Sequence, residues 1–184
     1  LGRDPLRTAT AVPKWPDFLR LGELPRVVLR SGKALDEDAV RGIVEMVSIS
    51  TPDDPYPGLT LVREACDERS LGDLATELLE HWVIGDAPGR HEWMLHAIVF
   101  FRSERGTRRV AELAREWARK NAAKAERACG ALAADGSDLA LMHLAHIAET
   151  TRFAALKETA AGLVRDAAAA RGLTEDELGD RPGP

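Results

Sequence analysis

The sequence predicts an all-α protein built of stacked antiparallel helix pairs, a short HEAT-like α-solenoid, led in by an extended N-terminal strap. Three observations predict it. Leu71, Leu74, Ala75, Leu78, Leu79, Trp82 and Val83 recur at i, i+3, i+4, i+7, i+8, i+11 and i+12, the stripe of one helix face. Val110, Leu113, Ala114, Trp117 and Ala118 repeat the first five of those spacings, with a tryptophan again near the end. Between them, residues 93–101 are apolar around most of a helical circumference, the mark of a helix buried among neighbours. An irregular helical bundle is the alternative architecture. In a solenoid each pair touches only its neighbours, whereas in a bundle the first helix meets the last.

Residues 1–34 read as the strap. Pro5, Pro13, Pro16 and Pro25 break helices and push the preceding residue toward extended geometry. Trp15, Phe18, Leu19, Leu21, Leu24, Val27, Val28 and Leu29 are too apolar for a free tail, so the segment is expected to lie across the helices, with 27–29 a candidate short strand. Ser31-Gly32-Lys33 is the turn into the helical domain, residues 35–181.

Within that domain Asp36 caps a helix to about Ser48, with Val40, Ile43, Val44 and Val47 as its buried stripe. Pro52, Pro55, Pro57 and Gly58 stiffen the loop that follows, and a short helix spans 59–66. Ser70 with Asp73 reads as a capping box opening the Trp82 helix, which Gly85, Pro88 and Gly89 end. The central apolar helix spans about 90–103, followed by helices at 106–119, 122–134, 137–149 and 152–171, with Gly172 as the stop. Thr174 and Glu177 form a further capping box for a short helix that Pro182 ends. Trp82 and Trp117 lie 35 residues apart and Gly106 and Gly136 lie 30 apart, periods that suit two-helix repeats.

Composition narrows the function classes. A chain of 184 residues with 45% hydrophobic content is the size of one domain with a real core. Its longest apolar run, interrupted by His96, is about half of a membrane span, and residues 1–20 carry charges and prolines where a signal peptide has an apolar core. No membrane partner is expected. The chain opens on Leu1, which suggests a piece of something longer. Cys66 and Cys129 fall on apolar helix positions in no metal-type spacing and read as reduced core thiols, in keeping with a cytoplasmic location.

The net charge of −5 argues against general nucleic-acid binding, which rests on neutralising phosphates. Residues 102–127 nevertheless hold nine basic residues against four acidic ones, a local +5 that leaves −10 for the rest. Arg105, Arg108, Arg109, Arg115 and Arg119 lie mostly opposite Val110, Leu113, Ala114 and Trp117, so they face solvent as a basic strip. Glu112, four residues after Arg108, and Glu116, four before Lys120, offer local pairing. The strip is the candidate partner-binding surface, for an acidic protein or other domains of the same chain.

The remaining constellations are weaker. His143, His146 and Glu149 at i, i+3 and i+6 diverge around their helix, unlike an HExxH pair, and read as a polar face or groove lining. His91 and His96 at i, i+5 point in different directions. None of the serines at 31, 48, 50, 70, 103 and 137 sits in a G-x-S-x-G setting. Glycine-rich phosphate loops are missing, and Asp53-Asp54 lies on a proline-rich loop where solvation suffices. The sequence nominates no catalytic, cofactor-binding or metal-ligating residue, and it supports no enzyme assignment.

The C-terminal third resembles a known family. Gly136-Ser137-Asp138-Leu139-Ala140-Leu141-Met142-His143-Leu144, then Ile147-Ala148, Phe153-Ala154-Ala155-Leu156-Lys157 and the ending Arg171-Gly172-Leu173-Thr174-Glu175-Asp176-Glu177-Leu178-Gly179-Asp180-Arg181 resemble the helical-repeat region of large bacterial proteins grouped with the molybdate metabolism regulator. These carry a domain of unknown function and in some members a WGR module. Leu24-Pro25 to Leu29 and residues 35–47 resemble the upstream part of that region, so the likeness covers 12–181. It departs at Pro182-Gly183-Pro184, where family members continue. The resemblance implies an internal segment of a longer regulatory protein and brings no catalytic residues. The expectation is therefore a non-catalytic interaction or scaffold domain. The rival is a nucleic-acid-binding HEAT-like protein or base-excision enzyme, which needs strip arginines beside an exposed Trp82, Trp93 or Trp117.

Overall fold

The structure is a computed structural model and describes residues 13–173 and Glu177. It is all-α: the described residues form eight α-helices and isolated β-bridges, with no strand. The capping box expected at Thr174 and Glu177, and residues 1–12 of the strap, lie outside or at the edge of the described residues. The chain divides into two compact units at Ser103 and Glu104, a boundary inside the 35–181 helical domain read from the sequence.

The first unit contains α1 (Glu37–Ser48), α2 (Gly58–Ala65), α3 (Glu68–Ile84) and α4 (Trp93–Phe100). Asp36 caps α1 by accepting from the Ala39 N–H at 2.8 Å, and Val40, Ile43, Val44 and Val47 are buried as their spacing requires. The apolar α4 packs on both α1 and α3, with Trp93, Met94, Leu95, Ala97, Ile98 and Phe100 buried.

Two boundaries differ from the sequence reading, for identifiable reasons. Helix α3 begins at Glu68 because Asp67, not Ser70, is its cap and accepts from the Ser70 N–H at 2.9 Å. The Ser70 hydroxyl is engaged elsewhere: it donates to the Asp67 carbonyl and accepts from the Val28 N–H at 3.1 Å. Helix α4 is shorter than the expected 90–103. A 3-10 turn, Gly89–His91, precedes it, and the chain leaves helical geometry at Phe101. Residues 102 and 103 instead lie along α3, where the Thr76 and Ser103 hydroxyls are 2.9 Å apart. Gly72 permits this approach, since a Cβ there would stand 2.8 Å from the Arg102 carbonyl oxygen.

Residues 13–35 are tied to the same unit by backbone groups. The expected strand at 27–29 is replaced by two isolated bridges, Val28 with Ala34 and Leu29 with Cys66. Arg30 N–H donates to the Ala65 carbonyl and Asp67 N–H to the Val28 carbonyl. Leu19 and Val27 are buried, the Phe18 ring meets His91 edge-on, and Arg41 lies over the Trp15 ring.

The second unit contains α5 (Glu104–Lys120), α6 (Ala122–Asp135), α7 (Asp138–Thr150) and α8 (Ala154–Arg171). Links of one to three residues make successive helices antiparallel neighbours. Besides its chain neighbour, α5 packs on α7, and α6 packs on α8. Asn121 and Ser137 cap α6 and α7 through their side chains. Helices α6 and α8 stop at Gly136 and Gly172, whose φ of 64° and 65° are left-handed values that a glycine takes without strain.

Both cysteines are buried. Burial pushes the Cys66 thiol up, and burial together with the Glu126 charge pushes Cys129 up to about 12. The thiolate is the reactive form. Neither cysteine should therefore react with a disulfide-exchange reagent at pH 8 in the native protein, whereas both should titrate once the chain is unfolded in denaturant.

Candidate functional site

The strip arginines sit on α5 because its apolar residues claim the other face: Val110, Ala111, Leu113 and Ala114 are buried. Arg105, Arg108, Arg115 and Arg119 are exposed, and Arg109 is half-buried. The pairing differs in detail from the i, i+4 expectation. Arg108 pairs back to Glu104 at 3.3 Å, while Arg109 takes both Glu112 at 3.5 Å and Glu116 at 3.7 Å. Glu112 and Glu116 are themselves four residues apart, so both carboxylates fall on the side of the helix that Arg109 covers.

The packing of α5 on α7 brings together two features that look separate in the sequence. Arg115 Nη2 lies 3.4 Å from His143 Nδ1. A guanidinium only donates, so Nδ1 accepts and the imidazole proton sits on Nε2. That Nε2 is buried and has no hydrogen-bond partner. The contact between α5 and α7 thus leaves a buried imidazole N–H without a partner, while the exposed Arg115 guanidinium meets the other ring nitrogen.

Burial lowers the His143 pKa, and Arg115, Arg108 and His146 lower it further against the opposing pull of Glu112. His91 and His96 are also lowered, in each case chiefly by burial. These rings bind a proton less readily when folded than the unfolded imidazole, whose pKa is about 6.5. Their contribution to stability is complete above that pH and is lost as the pH falls below it. Urea midpoints should therefore fall between pH 7.5 and pH 5, and His143→Gln should reduce that fall.

His146 and Glu149 are exposed, and among the described residues no group of three His, Cys, Asp or Glu side chains could hold a metal ion. Trp82 and Trp93 are buried. Trp117 is half-buried, with Lys124 Nζ 5.9 Å from its ring centroid.

The residues that carry the family resemblance meet in space. Arg171 Nη1 donates to Asp138 Oδ1 at 2.7 Å, and its Nη2 donates to the Gly136 carbonyl. The end of α8 is thereby clamped to the turn between α6 and α7. Asp135, which sequence reasoning passed over, anchors the same turn. It accepts from the Thr107 hydroxyl at 2.7 Å and from the Ser137 N–H at 3.1 Å. An acidic residue in the last turn of a helix opposes the helix dipole, and that mismatch was the available signal.

No protein-family model matches the chain, and no solved structure matches it significantly. The chain is similar to the "Uncharacterized protein YehI" of Escherichia coli (strain K12), with 28% identity over 176 residues. That alignment covers 94% of this chain but 14% of the relative's length. No helix among the described residues is long and apolar enough to cross a membrane.

Proposed function

We propose that this chain is a non-catalytic, HEAT-like interaction segment of a larger bacterial regulatory protein, and that the α5–α7 face docks an acidic protein surface. The observation that carries the proposal is the exposed Arg115 guanidinium, held at the α5–α7 contact by its 3.4 Å contact with His143 Nδ1. A carboxylate placed there accepts charge-assisted bonds from the guanidinium N–H groups that the contact with His143 does not use. Exposed Arg119 extends the same cationic face along α5.

The pairwise contacts of the second unit support the repeat reading, since α5 packs on α7 and α6 on α8. This is the neighbour pattern of two helix pairs laid side by side. The alignment within a much longer relative supports the reading as one segment of a large protein. The proposed protein is of the kind grouped with the molybdate metabolism regulator, acting in the cytoplasm. Burial of Trp82 and Trp93 removes two of the three aromatics that the base-excision alternative could use and leaves it the half-buried Trp117.

The test is fluorescence anisotropy with a labelled Asp/Glu-rich peptide and a labelled DNA duplex. The peptide should bind, and Arg115→Glu with Arg119→Glu should weaken it by roughly tenfold or more, with circular dichroism unchanged. Tight duplex binding with a steep salt dependence, or peptide binding indifferent to the double variant, would overturn the assignment.

A further inference from the structure

A second feature lies wholly within the first unit and owes nothing to the strip. The end of α2, the first turn of α3 and the chain leaving α4 line a pocket of about 330 Å³. Pockets from about 300 Å³ upward hold small molecules. Leu71, Phe100 and Phe101 stand behind it, each no more than 3% exposed. They close the back of the pocket without offering a face for a ligand to lie on. The groups left to meet a ligand are three exposed guanidiniums, Arg30, Arg63 and Arg102, and one exposed carboxylate, Glu68.

Like charges on a surface gain by splaying apart into water, and here two of the three are tied down. Arg63 Nη1 donates to the Phe100 carbonyl at 3.4 Å and its Nη2 donates to the Thr60 hydroxyl at 3.3 Å. Arg30 Nη2 donates to the Arg63 carbonyl at 3.2 Å. The Arg102 backbone is set against α3, where Gly72 leaves room for its carbonyl. The oxygens that hold Arg30 and Arg63 are neutral, so they anchor the guanidiniums without cancelling their charge. Among the described residues none of the three arginines makes an ion pair, and Glu68 in the same lining is paired to none of them. Three cations and one acid leave an excess of two positive charges in front of a closed apolar wall. Such a low-dielectric wall concentrates the field of the charges on the cleft.

We propose that this pocket binds a compact oxyanion carrying two negative charges. Two charges match the excess, and a small group of oxygens takes the forked N–H donors that the bonds to neutral oxygens leave unused. Because Arg30 and Arg63 are already held, binding orders little beyond the Arg102 side chain. A singly charged anion leaves part of the excess uncancelled. A large apolar group gains nothing from a back wall that is already sealed. Sulfate, phosphate and short dicarboxylates share the required chemistry, whether free or at the end of a small molecule. Glu68 repels each of them, so it holds the affinity below what its neutral amide would allow.

Isothermal titration calorimetry of the 184-residue chain at low salt and pH 8 tests the proposal, with sulfate, inorganic phosphate and succinate as dianions and acetate as the singly charged control. At least one dianion should bind with a dissociation constant of roughly 1 mM or below, and acetate roughly tenfold or more weakly. A preference for sulfate and phosphate supports the site with a tetrahedral ligand, and a preference for succinate supports it with a dicarboxylate. Arg102→Gln should weaken the preferred dianion by roughly tenfold or more. Glu68→Gln should tighten it by roughly threefold or more. Arg165→Gln removes an equal charge from the exposed face of α8 and should bind like the parent. The Arg102 side chain has no partner to lose among the described residues, so circular dichroism of its variant should match the parent. The proposal is overturned if no dianion reaches that affinity, or if acetate binds as well as the dianions. It is also overturned if Arg102→Gln weakens binding no more than Arg165→Gln does. Because the peptide assay reads the second unit and this titration the first, either can fail without the other.

Discussion

Replacing Trp82 with alanine is expected to cost residues 1–103 about 3–5 kcal/mol, the range for truncating a fully buried tryptophan. Trp82 is completely shielded from solvent, and its indole N–H donates to the Pro88 carbonyl at 3.0 Å. That bond closes a turn in which Asp86 and Ala87 have φ of 66° and 47°. Left-handed geometry is tolerated by aspartate and unfavourable for alanine. The same turn is held by the Ala87 N–H donating to the Trp82 carbonyl at 2.8 Å. Truncation therefore removes packing and also one of the bonds that hold the turn in place. Trp117→Ala, at a half-buried ring beneath Lys124, should cost only about 1 kcal/mol. Urea denaturation followed by far-ultraviolet circular dichroism measures both. Equal losses would refute this account of Trp82.

The second large effect is expected at Asp135. Asp135→Ala leaves the buried Thr107 hydroxyl and the Ser137 N–H without their acceptor, and orphaned buried donors cost about 1–3 kcal/mol each. A loss of about 2–4 kcal/mol is expected in the second unit. Thr107→Val should cost less, because the carboxylate keeps its bond to Ser137. A double-mutant cycle between the two positions should show coupling of about 1 kcal/mol or more. Additive single effects would mean that the 2.7 Å contact contributes nothing.

These two residues show where sequence reasoning worked and where it stopped. Trp82 and Trp117 share a periodic position, and the periodicity correctly placed both on helices. Read as equivalent packing residues, however, they differ in the structure, since one is sealed over a strained turn and the other lies under a lysine. Spacing along one helix records which face a residue occupies. It carries no information about how much neighbouring chain covers that face. The role of Asp135 was hidden for a related reason, although its place in the last turn of a helix was a signal. Its partner Thr107 is 28 residues away, and only the packing of α5 on α6 brings them together.

The candidate site divides in the same way. The basic strip was legible because a charge excess on one amphipathic helix is a local property. Its joining to His143 was not, because it depends on α5 lying against α7. The pocket of the first unit draws Arg30, Arg63, Glu68 and Arg102 from four separate segments, none of which has a distinguishing motif.

By itself the sequence determined the all-α class, the approximate helix positions and the caps at Asp36 and Gly172, because helix periodicity, proline placement and capping chemistry act over a few residues. It also set the character of the core through the apolar α4 stripe. The tertiary structure alone decided the true start of α3 and the early end of α4. In each case a side chain or backbone group found a distant partner, Val28 for Ser70 and α3 for Ser103. It alone also decided which arginine meets His143 and which surround a pocket. Those arrangements are set by burial and hydrogen-bond satisfaction between segments far apart in the chain, and local pattern does not encode them.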